Sequence, residues 1–164
     1  MQEVVAHLRF IRESLGRFPR RTRSNQVVYE MPRDAAGRLI FHFQSAWWRE
    51  RMQYAAQLCN YEGNLVARIH WDPAVDGSVV IWKRVLVSAN QDPKGRRRFA
   101  VHEAFPPGGQ IRLRAVLPEG LAAEQFQRLL AMVGTYRGLS PFVANEETYG
   151  TFEVLSVRPA VGGA

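Results

Sequence analysis

The stretch Gln110–Pro118, QIRLRAVLP, constrains this chain more than any other: Ile111, Leu113, Ala115 and Leu117 alternate with Arg112, Arg114 and Val116. Successive strand side chains point to opposite faces, so this is a strand with one apolar and one mostly basic face. It belongs in a sheet packed on one side and open on the other, an antiparallel habit, since parallel sheets are covered on both faces. Pro106–Gly109 stop the strand before it. Pro118 and Gly120 mark the turn into a helix, where Phe126, Leu129, Leu130 and Val133 recur at i, i+3, i+4 and i+7.

The same reading extends both ways. Residues 3–15 fit a strand or a helix, Val4, Leu8, Ile11 and Leu15 having helical spacing, and we read a strand. Residues 16–26, GRFPRRTRSNQ, read as an exposed loop, and Gln26–Met31 as a short extended segment. Arg38–Gln44 alternates as a strand. Ser45 then caps a helix with Trp48, Met52, Ala55, Ala56 and Cys59 on one stripe, where Trp47 and Trp48 point about 100° apart so that one is core. Asn64–Pro73 and Asp76–Ser88 read as the two strands of a hairpin, and Arg98–Phe105 as a strand leaving a basic turn. Tyr149–Val157 is the last strand, with Phe152, Val154 and Ser156 on one face. Stripped of extra strands the order is βαββαβ, an α+β, ferredoxin-like antiparallel sheet with inserted hairpin strands, two main helices on one face and the other face open. We expect one domain over 1–159 and a flexible tail over 160–164.

Charge decides the partner class. The chain of 164 residues carries a net charge of +7, and two clusters account for it: Arg17, Arg20, Arg21 and Arg23, then Lys94, Arg96, Arg97 and Arg98. Concentrating charge this way suits an anionic partner. No run reaches the roughly 18 apolar residues of a membrane helix, and the N-terminus lacks the pattern of a signal peptide, so a cytoplasmic protein with no membrane partner is expected. One cysteine, Cys59, cannot build a disulfide framework or thiolate cluster and reads as a small buried hydrophobe.

The segment His102–Val154, in which a strand ends near a glutamate, a Pro-Gly turn leads to an alternating strand and an amphipathic helix, and a glycine-bearing loop closes on YGTFEV, resembles the second half of RAMP-superfamily proteins. That superfamily includes RNA-binding backbone and processing subunits of CRISPR effector complexes. The resemblance implies a ferredoxin-like fold and RNA contacts by the loop glycines, carried here by Gly134, Gly138 and Gly150. The loop is longer and less glycine-dense than the family's. The residues themselves suggest narrower jobs: Gly134 as the left-handed end of the helix, Gly138 and Gly150 as turns.

Arginine is the stronger candidate for contact, because its planar fork pairs with phosphate oxygens and each neutralised phosphate releases counterions. Arg112 and Arg114 share a strand face, with Lys83 expected beside them on the sheet. Phe18, Tyr29 and Trp82 are near enough to stack on bases. The histidines His42, His70 and His102 leave room for a metal-independent endoribonuclease, yet no HxxxH, HExxH or DxD grouping assembles a metal site, and no cofactor is called for. Glu103 is expected to organise the turn after it. The reading is a non-catalytic protein that binds single-stranded RNA or DNA, with two alternatives: the endoribonuclease, and an accessory subunit or inhibitor of a nucleoprotein complex that contacts protein.

Overall fold

Val4, Ala6, Leu8 and Phe10 are buried while Glu3, His7 and Arg9 are not, and this period of two makes β1 (Gln2–Phe10) a strand. The computed structural model describes residues 1–16, 18–25, 27–36, 43–72, 76–79, 83–91, 97–140 and 149–160. Within them follow β2 (Ser14–Leu15), β3 (Phe18–Arg21), β4 (Val27–Glu30), α1 (Ser45–Cys59), α2 (Gly63–Ala67), β5 (His70–Trp71), β6 (Asp76–Val79), β7 (Lys83–Gln91), β8 (Arg97–Phe105), β9 (Gln110–Leu117), α3 (Ala123–Tyr136) and β10 (Phe152–Pro159).

The architecture is mixed α+β. In the first sheet the order is β10-β1-β9-β5, with β6 also on β9, and every one of these pairings is antiparallel. In the second the order is β2-β8-β4-β3, with β7 on the other side of β8 and β4 parallel to β8. Helices α1 and α3 cover one face of the first sheet. Phe126, Leu129, Leu130 and Val133 meet Ile111, Leu113 and Phe152 there, and Trp48 stacks on Trp71 at 4.3 Å. Each such side chain contributes about 1.5–3 kcal/mol by leaving water.

Two of the chain's crossings between the sheets lie together at one corner. The Phe10 N–H donates to the Gly109 carbonyl at 2.8 Å, and the Gly108 N–H to the Phe10 carbonyl at 2.8 Å, so β1–β2 and β8–β9 turn the same corner together. Phe105 packs edge-on against Phe10 at 5.1 Å, over Gly109, where a Cβ would lie 2.3 Å from the ring. A second tie is reciprocal: Ser14 Oγ donates to the Leu139 carbonyl at 2.7 Å, and the Leu15 N–H donates to Ser140 Oγ at 2.9 Å.

Several expectations are corrected. Residues 16–26 are largely a hairpin arm: β3 pairs with β4, and Asn25 takes the left-handed turn position with φ 64°. Asn64–Pro73 is not one strand. Val66 and Ile69 both bury, a spacing of three that a strand would split, so α2 precedes the two residues of β5. Asp76–Ser88 divides between sheets, β6 pairing with β9 and β7 with β8, so among the described residues the expected hairpin pairing is replaced by pairing with β9 and β8. Gln44, with extended backbone, is the N-cap of α1 in place of Ser45. A register shift between His7 and Leu8 puts Val154 opposite Leu8 but Ser156 opposite His7, moving Ser156 off the face of Phe152. The expected strand at 38–44 and the tail at 161–164 lie outside the described residues, Phe43 and Gln44 excepted.

Candidate nucleic-acid interface

The face of the first sheet away from the helices is built by register. Arg158 of β10, Val5 of β1 and Arg114 of β9 stand in one row, and Ser156, His7 and Arg112 in the next. Glu153, Arg9 and Gln110 form a third. Because residues directly opposite in an antiparallel pair share a face, four arginines from three strands converge on it. Two of them are engaged: Arg9 pairs with Glu153 across β1 and β10, and Arg114 Nη1 lies 3.4 Å from Glu3 Oε1. Arg112 and Arg158 are exposed and have no ion-pair partner among the described residues; Asp76 occupies the register position across from Arg112 at the sheet edge. His7 Nε2 is hydrogen-bonded to Gln110 Oε1 at 2.7 Å. Beside Arg114, a shallow depression of about 140 Å³ is lined by Glu3, His70 and Asp72.

Arg112 and Arg114 stand as the alternation of β9 requires. Arg9 and Arg158 were missed, although the even-numbered apolar set Val4, Ala6, Leu8 and Phe10 carries the signal that puts Arg9 outward. Lys83 does not neighbour them: it lies on β7 in the second sheet, paired with Ala104 of β8. Arg97 and Arg98 begin β8, opposite Gln91 and Ala89. On the β3–β4 hairpin Arg20 is exposed and pairs with Glu30, Arg21 donates to Asn25 Oδ1 at 2.8 Å, and Arg23 is exposed in the turn. Arg17, Lys94 and Arg96 lie outside the described residues, as do His42 and Trp82.

Of the candidate stacking rings, Phe18 is exposed, whereas Tyr29 stacks on buried His102 at 4.7 Å and 14°. His102 Nδ1–H donates to the Gly16 carbonyl at 2.8 Å. Burial lowers its pKa, and that hydrogen bond opposes the shift in part. Glu103 does not organise the turn after it. Its carboxylate accepts from Arg33 Nη2 at 3.1 and 3.0 Å and from the Met31 N–H at 3.3 Å, tying the segment after β4 to β8.

All three glycines of the family resemblance are buried in close backbone contacts. Gly134 lies inside α3 and does not end it: a Cβ there would meet the Phe152 carbonyl oxygen at 2.3 Å, so helix and strand touch backbone to backbone. Gly138, φ 70°, makes the stop, its N–H donating to the Val133 carbonyl at 2.8 Å. Gly150, φ 71°, donates to the Glu13 carbonyl at 2.7 Å and accepts from the Leu139 N–H at 2.9 Å, which holds Gly150 beside Leu139. With both N–H groups spent inside the protein, Gly138 and Gly150 do not offer amide donors to a phosphate.

Among the described residues no group of three His, Cys, Asp or Glu converges as a metal site, and no helix is long and apolar enough to cross a membrane. The exposed faces of α1 and α3 mix Arg49, Glu50, Gln57, Glu124, Gln127 and Arg128, without a basic stripe.

No protein-family model matches the sequence, and no curated protein matches it. Among solved structures, the chain is similar to a chain of the Type III-B Cmr-beta complex bound to cognate target RNA, determined by cryo-EM, with a TM-score of 0.65 at 9% identity. The likeness covers 96% of this chain and 60% of that one, so this chain spans about three-fifths of its length. It is a likeness of fold, compatible with the RAMP resemblance of the C-terminal half.

Proposed function

We propose that this chain is a non-catalytic, cytoplasmic nucleic-acid-binding protein of ferredoxin-like plan, which takes single-stranded RNA or DNA and serves as a subunit of a CRISPR-type nucleoprotein complex. The order β10-β1-β9-β5, with α1 leading from β1 towards β5 and α3 from β9 to β10, supports the ferredoxin-like reading of the first sheet. The second sheet is then an insertion built from the β1–α1 and β5–β9 connections. The observation that carries the function is the set of four arginines on the open face, since solvated guanidinium groups in register are a phosphate-binding surface. Mixed charge on both long helices argues against a helix laid in a duplex groove.

Contact by Arg20, Arg21 and Arg23 on the hairpin, Lys83, Arg97 and Arg98 on the second sheet, Arg112 and Arg114 on the first, and Arg17, Lys94 and Arg96 beyond the described residues completes the proposal. Gly134, Gly138 and Gly150 enter it as the close backbone contacts that set α3 against the start of β10. The likeness to a chain from an RNA-bound complex supports RNA as the ligand and a multi-subunit setting.

Fluorescence anisotropy of a labelled single strand, titrated at several salt concentrations, tests this. Affinity should fall steeply as salt rises, and replacing Arg20, Arg21, Arg23 and Arg112 with glutamine should weaken it about tenfold or more. Affinity that ignores both salt and these substitutions overturns the proposal, and a partner retained from nuclease-treated lysate without RNA binding favours the protein-contact alternative.

A further inference from the structure

The open face of the first sheet opposes its own cations. Glu3 and Glu153 are exposed carboxylates set against Arg114 and Arg9, while Arg112 and Arg158 have no ion-pair partner among the described residues. Successive same-face residues on a strand lie about 7 Å apart, so Arg112 and Arg114 are placed to meet neighbouring phosphates of one extended strand. A carboxylate already paired with Arg114 stands where the second phosphate would sit.

The chemistry of the face also speaks to what it reads. The aromatic rings of its strands, Phe10, Trp71 and Phe152, all turn inward, so the described residues of this face present no ring for stacked bases. Between the arginines lie Ser156, His7 and Gln110, hydrogen-bonding side chains in two adjacent rows. Such groups suit a ribose 2′-hydroxyl, which donates and accepts and which DNA lacks.

We propose that the open face is a single-stranded RNA backbone site whose affinity is held down from within, Glu3 and Glu153 acting as internal substitutes for phosphate so that Arg112 and Arg158 make the first contacts. This deepens the function proposed above and rests on it. Surface ion pairs are individually weak, so each carboxylate withholds a small, measurable share of affinity. Contact is with the backbone and sugar, so base identity matters little.

The test uses the full chain and labelled oligouridylate, oligoadenylate and oligodeoxyuridylate. Glu3→Gln and Glu153→Gln should each tighten oligouridylate binding about two- to five-fold, and each should steepen the logarithmic salt slope by about 0.7. Glu124→Gln on α3 makes the same change of charge away from the face and should do neither. Arg112→Gln and Arg158→Gln should weaken binding more than Arg9→Gln and Arg114→Gln. Oligouridylate and oligoadenylate should bind alike, and oligodeoxyuridylate less tightly.

If the native chain binds RNA with a salt-dependent affinity but the two glutamate variants behave as Glu124→Gln does, internal competition is overturned while the nucleic-acid reading stands. Equal binding of the deoxy strand overturns the assignment to RNA. Absence of binding by every strand at low salt, in native and variant chains alike, overturns the underlying function itself.

Discussion

At Gly134 two residue-scale effects oppose each other, and their magnitudes decide the outcome. Replacing a mid-helix glycine with alanine normally stabilises by about 1 kcal/mol. Here the new Cβ would fall 2.3 Å from the Phe152 carbonyl oxygen and 2.9 Å from its ring, and a strand backbone cannot yield as a flexible side chain would. Overpacking costs about 1–3 kcal/mol where neighbours can adjust, so Gly134→Ala should destabilise the protein by about 2 kcal/mol, seen as a lower urea midpoint at unchanged slope. A rise in midpoint would mean that α3 and β10 do not touch as described. This contact was not legible in the sequence, where Gly134 reads as a helix end. A close approach between backbones 18 residues apart leaves no local pattern, and the real stop, Gly138, obeys the same rule four positions later. By contrast, Arg112 and Arg114 were legible because strand alternation is a local property.

Elements here are tied by buried polar groups that no periodicity announces. Arg51 occupies a buried position on α1, where an exposed charge would be the ordinary choice. Its Nε donates to the Gly138 carbonyl at 2.8 Å, just past the end of α3, and its guanidinium lies over Phe43 at 4.8 Å. A cation at that end complements the helix dipole. Burial lowers its pKa, Glu50 raises it and Arg137 lowers it further, so the charged form is retained at some desolvation cost. Arg51→Met should cost about 2–3 kcal/mol, the value of a charge-assisted bond together with a carbonyl left unpaired, and Arg51→Lys should recover only part of it in chemical denaturation. Equal stability of the methionine variant would assign Arg51 to packing alone. Strands were read well where one face is dry, as in β1 and β9, and poorly in Asn64–Pro73 and Asp76–Ser88. There, sheet partners remote in sequence decide which residues extend and where the chain changes sheet.

For the molecule as a whole, the second sheet was invisible in advance because it is assembled from two separate connections, with β4 lying parallel to β8 between segments more than 70 residues apart. At its centre sits His102, fully buried, stacked on Tyr29 and bonded to Gly16 just after β2. Its pKa is lowered in the folded state by burial, so the native protein holds it neutral at pH values where the unfolded chain, with a histidine pKa of about 6.5, takes up a proton. Stability from this group is therefore complete above about pH 6.5 and is lost as pH falls below it towards the depressed folded value, with a slope of up to about 1.4 kcal/mol per pH unit in that window. The native chain should accordingly show a lower Tm at pH 5.5 than at pH 7.5. His102→Asn, which keeps a donor for the Gly16 carbonyl but cannot titrate, should melt lower at pH 7.5 through loss of the ring stack, and its Tm should fall less between the two pH values. An equal fall in both chains would place the acid sensitivity elsewhere and leave His102 as packing between β4 and β8. Such acid sensitivity would also separate a binding loss caused by unfolding from one caused by the arginine face, since the face variants leave His102 and its neighbours untouched.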